Sequence, residues 1–155
     1  MSNMHVVLVE PEIPPNTGNV SRSCAITRTT LHLVKPLGFS IENSKLKRAG
    51  LDYWDKLSYA IHDDFQSVEK TLSEYPFFLA TTKGNQLYHQ VSYPKPSVLV
   101  FGKETEGLSD DIINKYSDRL IRIPMGPDIR SLNLSNSVSI ILFEALRQNN
   151  FPRMY

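Results

Sequence analysis

Four short polar side chains precede a long apolar segment near the end of the chain: Ser131, Asn133, Ser135 and Asn136. A helix needs only one such side chain as its N-terminal cap, so the surplus favours contact with a ligand. The first turn of a helix also offers backbone N–H groups that bind polar or anionic groups. The loop from Pro124 to Asn136 is therefore predicted to be a binding loop.

A second candidate lies between Gly102 and Gly107, which bracket Lys103, Glu104, Thr105 and Glu106. Glycine lets a backbone approach a ligand closely or take a positive φ. The carboxylate of Glu104 could then orient a ribose or another polar group. An ordinary turn with a solvated acidic loop explains the same residue types, and both interpretations stay open.

A third candidate pairs Asn16 with Arg22, six residues apart. If a helix begins near Thr17, Asn16 lies at its mouth, where it could contact Arg22 or a ligand that both share. The alternative is that Asn16 caps the helix and Arg22 is a surface residue, and the spacing alone favours this alternative.

The remaining polar clusters favour structural roles. The four histidines lack the spacing of metal ligands and have no cysteine partners, which predicts structural or surface positions and no metal site. Lys45, Lys47 and Arg48, followed by Tyr53 and Trp54, could face RNA. A solvated face with two core aromatics is the favoured alternative.

Short apolar runs alternate with segments of helical character. Five strands are predicted, at Met4–Val9, Leu31–Val34, Phe77–Thr81, Ser97–Phe101 and Leu120–Ile123. Helices are predicted from Asn16 or Thr17 to Thr29, from Phe65 to Tyr75 with a capping box of Asp63 and Gln66, from Ser109 to Tyr116, and from Ser135 to Gln148. This alternation indicates an α/β domain with a mainly parallel sheet. Ligands collect at the carboxyl ends of such strands, so the polar loops should converge there.

The composition indicates one globular domain over residues 1–155. Lys and Arg total 17 against 16 Asp and Glu, a net charge of +1, which does not by itself announce nucleic-acid binding. A single cysteine and the lack of a long apolar run lead us to expect a soluble, cytoplasmic protein. The last predicted helix has more apolar residues than one stripe needs. It is either buried on two sides, by the sheet and a partner subunit, or enclosed in the core.

Three segments resemble the signature motifs of the SPOUT-class RNA 2′-O-ribose methyltransferases: NTGNVSR (Asn16–Arg22), LVFGKETEGLS (Leu99–Ser109) and IPMGPDIRSLNLSNSVSIILFEALRQ (Ile123–Gln148). EPEIPPNTGN and RAGLDYW (Arg48–Trp54) resemble the single-domain branch that methylates the wobble nucleotide of tRNA. The resemblance implies a Rossmann-like α/β fold with a C-terminal deep trefoil knot and a homodimer.

The resemblance also implies S-adenosylmethionine as the methyl donor, S-adenosylhomocysteine as the product, and no metal. The cofactor-binding residues that it implies are Ala80, Thr81, Gly102, Glu104, Gly107, Ile123, Met125, Ser131 and Leu132. The catalytic set that it implies is Asn16, Arg22, Glu104, Ser131 and Asn133. Arg22 would act as a general base or, at lower cost, as an electrostatic and phosphate-binding group, because a guanidinium resists deprotonation. Asn16 would hold Arg22.

The implied substrate is the tRNA anticodon stem-loop, methylated at a C or modified U in position 34, with neither a membrane nor DNA as a partner. Two alternatives stay open. One is the same chemistry on another tRNA or ribosomal RNA nucleotide, and the other is a non-catalytic, knotted RNA-binding factor.

Overall fold

The computed structural model describes residues 1–42 and 51–155. The predicted basic cluster of Lys45, Lys47 and Arg48 lies outside the described residues.

Seven strands of the described chain form one sheet in the order β3-β2-β1-β6-β4-β7-β5, and every pair is parallel. The strands are β1 (His5–Val9), β2 (Thr30–Val34), β3 (Tyr59–His62), β4 (Phe77–Ala80), β5 (Gln86–Leu87), β6 (Val98–Phe101) and β7 (Leu120–Arg122). The predicted parallel α/β sheet is confirmed. Two strands, β3 and β5, were not predicted from the sequence, and they form the two edges of the sheet. An edge strand needs no continuous apolar run, and β5 has only two residues.

The helices are α1 (Pro14–Thr27), α2 (Phe65–Thr71), α3 (Asp110–Lys115) and α4 (Leu134–Gln148), and a 3₁₀ helix covers Leu51–Lys56. Helix α1 begins before the predicted start at Asn16 or Thr17. Pro14 and Pro15 occupy its first positions, where a missing N–H costs nothing. Asn16 therefore lies inside the first turn and does not cap the helix.

The N-terminal caps of α2 and α3 were both predicted from the sequence. Ser109 caps α3 as predicted, since its hydroxyl accepts a hydrogen bond from the Ile112 N–H. The capping box of Asp63 and Gln66 is wrong by one residue. Asp64 is the cap of α2, and its carboxylate accepts from the Ser67 N–H at 2.8 Å. Both aspartates have the right chemistry, so only the backbone position of the helix start distinguishes them.

The core consists of two apolar clusters, one on each face of the sheet. Side chains of β1 alternate between them, with Val6 and Leu8 on the face covered by α1 and α4 and Val7 and Val9 on the face covered by α2 and α3. On α4, Val138, Ile141, Leu142, Ala145 and Leu146 are fully buried within the chain itself. A charge at Leu142 or Leu146 would thus disrupt the subunit core, whereas Phe143, 37% exposed, is an apolar residue of α4 that faces outward.

Three histidines form a hydrogen-bonded chain across β1, β2 and β3. His5 Nδ1 lies 3.1 Å from His32 Nε2, and His32 Nδ1 lies 3.0 Å from His62 Nε2. His62 Nδ1 lies 3.1 Å from the Ser67 hydroxyl. Burial lowers the pKa of all three imidazoles, to about 3 for His32. They are therefore neutral at pH 7, as suits the predicted structural role.

Candidate active site

Four loops converge at the carboxyl edge of the sheet and enclose a cleft of about 490 Å³. They follow β1, β4, β6 and β7, the arrangement expected when parallel strands end at one edge. All nine predicted cofactor-binding residues line this cleft: Ala80, Thr81, Gly102, Glu104, Gly107, Ile123, Met125, Ser131 and Leu132. Of the predicted catalytic residues, Asn16, Glu104, Ser131 and Asn133 also line it.

The loop after β4 is folded tightly against β7. The Thr81 N–H donates to the Ile121 carbonyl at 2.9 Å, and the Gly84 N–H donates to the Thr81 carbonyl at 3.1 Å. A Cβ at Gly84 would lie 2.8 Å from the carbonyl carbon of Ile121. This close packing fixes Ala80 and Thr81 at the cleft wall.

The loop after β6 closes on itself through its two glycines. A Cβ at Gly102 would lie 2.3 Å from the carbonyl carbon of Gly107 and 2.4 Å from the Leu108 nitrogen. Gly107 has a φ of 68°, and its N–H donates to the Lys103 carbonyl at 3.1 Å. The first glycine thus gives room to the loop's own backbone, and the second supplies a left-handed conformation.

The carboxylate of Glu104 is held by the loop that precedes α1. The Glu12 N–H lies 3.1 Å from each of its oxygens, and the Ile13 N–H donates to Oε2 at 2.6 Å. The neighbouring Lys103 forms ion pairs with Glu10 at 3.5 Å and Glu106 at 3.8 Å. Hydrogen bonds from the hydroxyl and then the N–H of Thr105 lower the pKa of the Glu12 carboxyl group. Charged side chains thus join the loops on both sides of the cleft.

Asn133 joins the start of α4 to α1. Its Oδ1 accepts from the Ser135 N–H at 2.9 Å, the Ser135 hydroxyl at 2.5 Å and the Asn136 N–H at 3.3 Å. Its Nδ2 donates to Asn16 Oδ1 at 3.0 Å. Asn133 is therefore the cap of α4, and the same side chain fixes the orientation of the buried Asn16 amide.

The structure does not bring Arg22 together with the other predicted catalytic residues. Arg22 is exposed, and its guanidinium carbon lies 4.8 Å from the centre of the Tyr53 ring. Six residues along an α-helix turn by about 600°, so Arg22 leaves α1 about 120° away from Asn16. Within the described chain no hydrogen bond joins Asn16 to Arg22, and Asn16 Oδ1 accepts from Asn133 Nδ2 at 3.0 Å.

Arg122 and Arg130 also line the cleft, although the sequence motifs did not predict them as site residues. Both also line an adjoining cavity of about 160 Å³. Arg122 ends β7, and Arg130 directly precedes Ser131, so their positions beside predicted site residues were the available signal. Their positive charge suits an anionic ligand such as a carboxylate or a phosphate.

Within residues 1–42 and 51–155, no group of three or more His, Cys, Asp or Glu side chains is arranged to hold a metal ion. None of the helices in the described part of the chain combines the length and apolar character needed to cross a membrane.

Comparison with known proteins identifies close relatives. The model of the SpoU rRNA Methylase family matches residues 3–143. A tRNA (cytidine(34)-2′-O)-methyltransferase from Methylovorus glucosotrophus is 47% identical over 147 residues, which are 94% of this chain and 96% of that protein.

Solved structures share the fold. One, described as giving structural insights into the 2-OH methylation of C/U34 on tRNA, has a TM-score of 0.91 and 37% identity, over 95% of this chain and 96% of that chain. The SpoU methyltransferase AviRb from Streptomyces viridochromogenes, in complex with AdoMet, has a TM-score of 0.85 at 23% identity. It is matched over 97% of this chain and 59% of its own, and this likeness concerns the fold alone.

Proposed function

Because this chain belongs to the SpoU rRNA methylase family, we propose that it transfers a methyl group from S-adenosylmethionine to the ribose 2′-hydroxyl of nucleotide 34, a C or modified U, in tRNA. The observation that carries the proposal is the cleft, which is lined by all nine predicted cofactor-binding residues and by four of the five predicted catalytic residues. The relatives named for cytidine(34) and C/U34 methylation support the choice of nucleotide.

The residues around the cleft fit S-adenosylmethionine. Apolar side chains such as Leu108, Ile123 and Leu134 suit its adenine ring, and Arg122 and Arg130 suit its carboxylate. The loops after β4, β6 and β7 would hold the cofactor through the nine residues named above. When bound, it supplies an electrophilic methyl group on a sulfonium sulfur.

The chain's own contribution is to position the ribose. The 2′-hydroxyl must approach the methyl group in line, so most of the rate gain comes from holding two partners in one geometry. Asn16 Nδ2, for which the described residues provide no acceptor, is the donor that remains for the substrate once Oδ1 binds Asn133. Ser131 is exposed at the cleft and is proposed to contact the ribose or the cofactor.

The proposal includes a homodimer. Helices α1 and α4 pack against each other and carry two apolar side chains that remain exposed, Ile26 at 53% and Phe143 at 37%. Apolar groups on neighbouring helices favour a symmetric contact between subunits. RNA lying across both subunits would then meet Arg22, which acts as an electrostatic and phosphate-binding group outside its own cleft.

We also propose the C-terminal deep trefoil knot of the SPOUT fold and the anticodon stem-loop as the part of tRNA that binds. The likeness to SpoU methyltransferase structures supports the knot, and the relative named for C/U34 supports the stem-loop. A tRNA substrate implies a reaction in the cytoplasm.

The test is tritiated-methyl transfer to bulk tRNA from cells that lack this modification, followed by mapping of the methylated nucleotide. A labelled 2′-O-methyl group at position 34 is the expected result. A label at another tRNA position, or in ribosomal RNA only, would replace the substrate and keep the chemistry.

A thermal shift separates the enzyme from a non-catalytic RNA-binding factor. S-adenosylmethionine at a hundred times its Kd should stabilise the fold by about 2.7 kcal/mol. If neither a shift nor any methyl transfer is seen, the protein is not a methyltransferase.

A further inference from the structure

Two loops at the cleft are joined by reciprocal hydrogen bonds, in which a carboxylate of each loop accepts from donors of the other. The β1 loop (residues 10–13) donates the N–H groups of Glu12 and Ile13 to the carboxylate of Glu104. In return, the β6 loop (residues 103–107) donates the N–H of Thr105, at 3.1 Å, and its hydroxyl, at 2.8 Å, to Glu12 Oε1. Each loop therefore gives one carboxylate to the other loop's donors.

The local sequence leaves these donors available. Pro14 and Pro15 begin α1 without N–H groups, so the donors at the mouth of the helix are those of Glu12 and Ile13. Hydrogen bonds to an ionised carboxylate are roughly twice as strong as those between neutral groups. The exchange thus ties the β1 loop to the β6 loop more firmly than neutral contacts would.

The β1 loop is also held from its other side. The Gly38 N–H donates to the Pro11 carbonyl at 2.9 Å, and a Cβ at Gly38 would lie 2.8 Å from Glu12 Cα. Glu12 is thus fixed between the backbone near Gly38 and the β6 loop. Its side chain lies beside the cleft without lining it, whereas Ile13 and Asn16 line it.

We propose that Glu12 and Glu104 form a reciprocal clasp, and that Glu12 is a positioning residue for methyl transfer. The clasp connects the loop leading to Asn16, on the substrate side, with the loop from Gly102 to Gly107, on the cofactor side. This inference rests on the proposed methyltransferase function. A shift of about 1 Å between reacting partners can cost about a hundredfold in rate, so a loosened clasp should lower kcat.

The experiment compares Glu12→Ala, which removes the acceptor, with Glu12→Gln, which keeps an oxygen at that position. Thr105→Val removes the hydroxyl donor and completes a double-mutant cycle with Glu12→Ala. Glu74→Ala is the matched control. Glu74 is exposed and precedes the amino end of β4, whereas the cleft lies at the carboxyl ends of the strands. Each variant is tested for kcat, KM for tRNA, the Kd of S-adenosylmethionine and thermal midpoint.

Glu12→Ala should lower kcat by about 10- to 100-fold, with the cofactor Kd within about threefold of the wild type. Glu12→Gln should keep most of the activity, and Thr105→Val should add little to Glu12→Ala. A residue with only a structural role would lower the thermal midpoint and leave kcat unchanged. A kcat for Glu12→Ala within about twofold of Glu74→Ala would overturn the proposal. So would a Gln variant as slow as the Ala variant.

The cycle also distinguishes this proposal from the proposed function. If the wild type methylates no RNA, the proposed function is wrong. The clasp is then judged on the thermal midpoints of the wild type, Glu12→Ala, Thr105→Val and the double variant. Non-additive midpoints for Glu12→Ala and Thr105→Val support the clasp, and additive ones refute it. If Glu12→Ala does not fold, Thr105→Val is compared with Thr105→Ser, which keeps the hydroxyl donor to Glu12. A lower kcat or thermal midpoint for Thr105→Val alone supports the clasp, and equal values for the two variants refute it.

Discussion

Replacing Gly102 with alanine would place a methyl group where the β6 loop already packs. The new Cβ would lie 2.3 Å from the Gly107 carbonyl carbon, 2.4 Å from the Leu108 nitrogen and 2.8 Å from Gly107 Cα. All three are backbone atoms, so no side chain can rotate away to make room. The loop from Lys103 to Leu108 must therefore move.

The size of the effect follows from these distances. Ordinary contact begins near 3.4 Å, so Gly107 and Leu108 must shift by about 1 Å. Overpacking of this kind typically lowers the free energy of unfolding by about 1–3 kcal/mol. Because Gly102 and Gly107 both line the cleft, much of the displacement should reach the cofactor site. We expect the Kd of S-adenosylmethionine to rise by about 10- to 100-fold, as each 1.4 kcal/mol is tenfold.

Isothermal titration of Gly102→Ala with S-adenosylmethionine measures this change, and circular dichroism confirms that the variant is folded. Glu74→Ala is the control, because Glu74 is exposed and precedes the amino end of β4, away from the cleft. A Gly102→Ala protein that binds the cofactor within about twofold of the control would show that the loop is not a wall of the cofactor site.

Three further predictions follow from other parts of the molecule. Burial lowers the pKa of His32 to about 3, so below pH 6.5 this side chain binds more protons in the unfolded protein than in the folded one. The stabilisation from the neutral imidazole is therefore present above pH 6.5 and is lost as the pH falls. Urea unfolding should show a loss of about 2 kcal/mol from pH 6.5 to pH 5, and a pH-independent midpoint would contradict the neutral histidine chain. Tyr53→Ala should lower kcat without changing cofactor affinity, because it removes the ring under Arg22, whereas Tyr53→Phe keeps the ring and the activity; equal kinetics for the two variants would refute a role for this stacking. Phe143→Glu should shift sedimentation from dimer to monomer, whereas Leu142→Glu should unfold the subunit, because an unpaired charge would enter the core. A Phe143→Glu protein that remains dimeric would place the interface elsewhere.

Much of the fold could be predicted because its signals are local. The runs that became β1 and β6 are buried on both faces, and such strands are continuously apolar in any sequence. The two edge strands were not predicted because they lack such a run. In β3, Tyr59 and Ile61 are exposed and only His62 is buried. The start of α1 was misjudged because prolines that break a helix interior are acceptable in its first turn.

The sequence by itself determined which kinds of side chain follow each buried strand. A parallel topology then brings those loops to one edge, so the membership of the cleft could be predicted. The tertiary structure alone decided the contacts within it. Glu104 binds backbone 92 residues away, and Asn133 binds Asn16 across 117 residues, separations at which no periodicity or spacing carries information. Arg22 leaves the cleft because the helical turn between it and Asn16 aims the two side chains apart. Strand order and helix rotation, which act over the whole chain, set these distances.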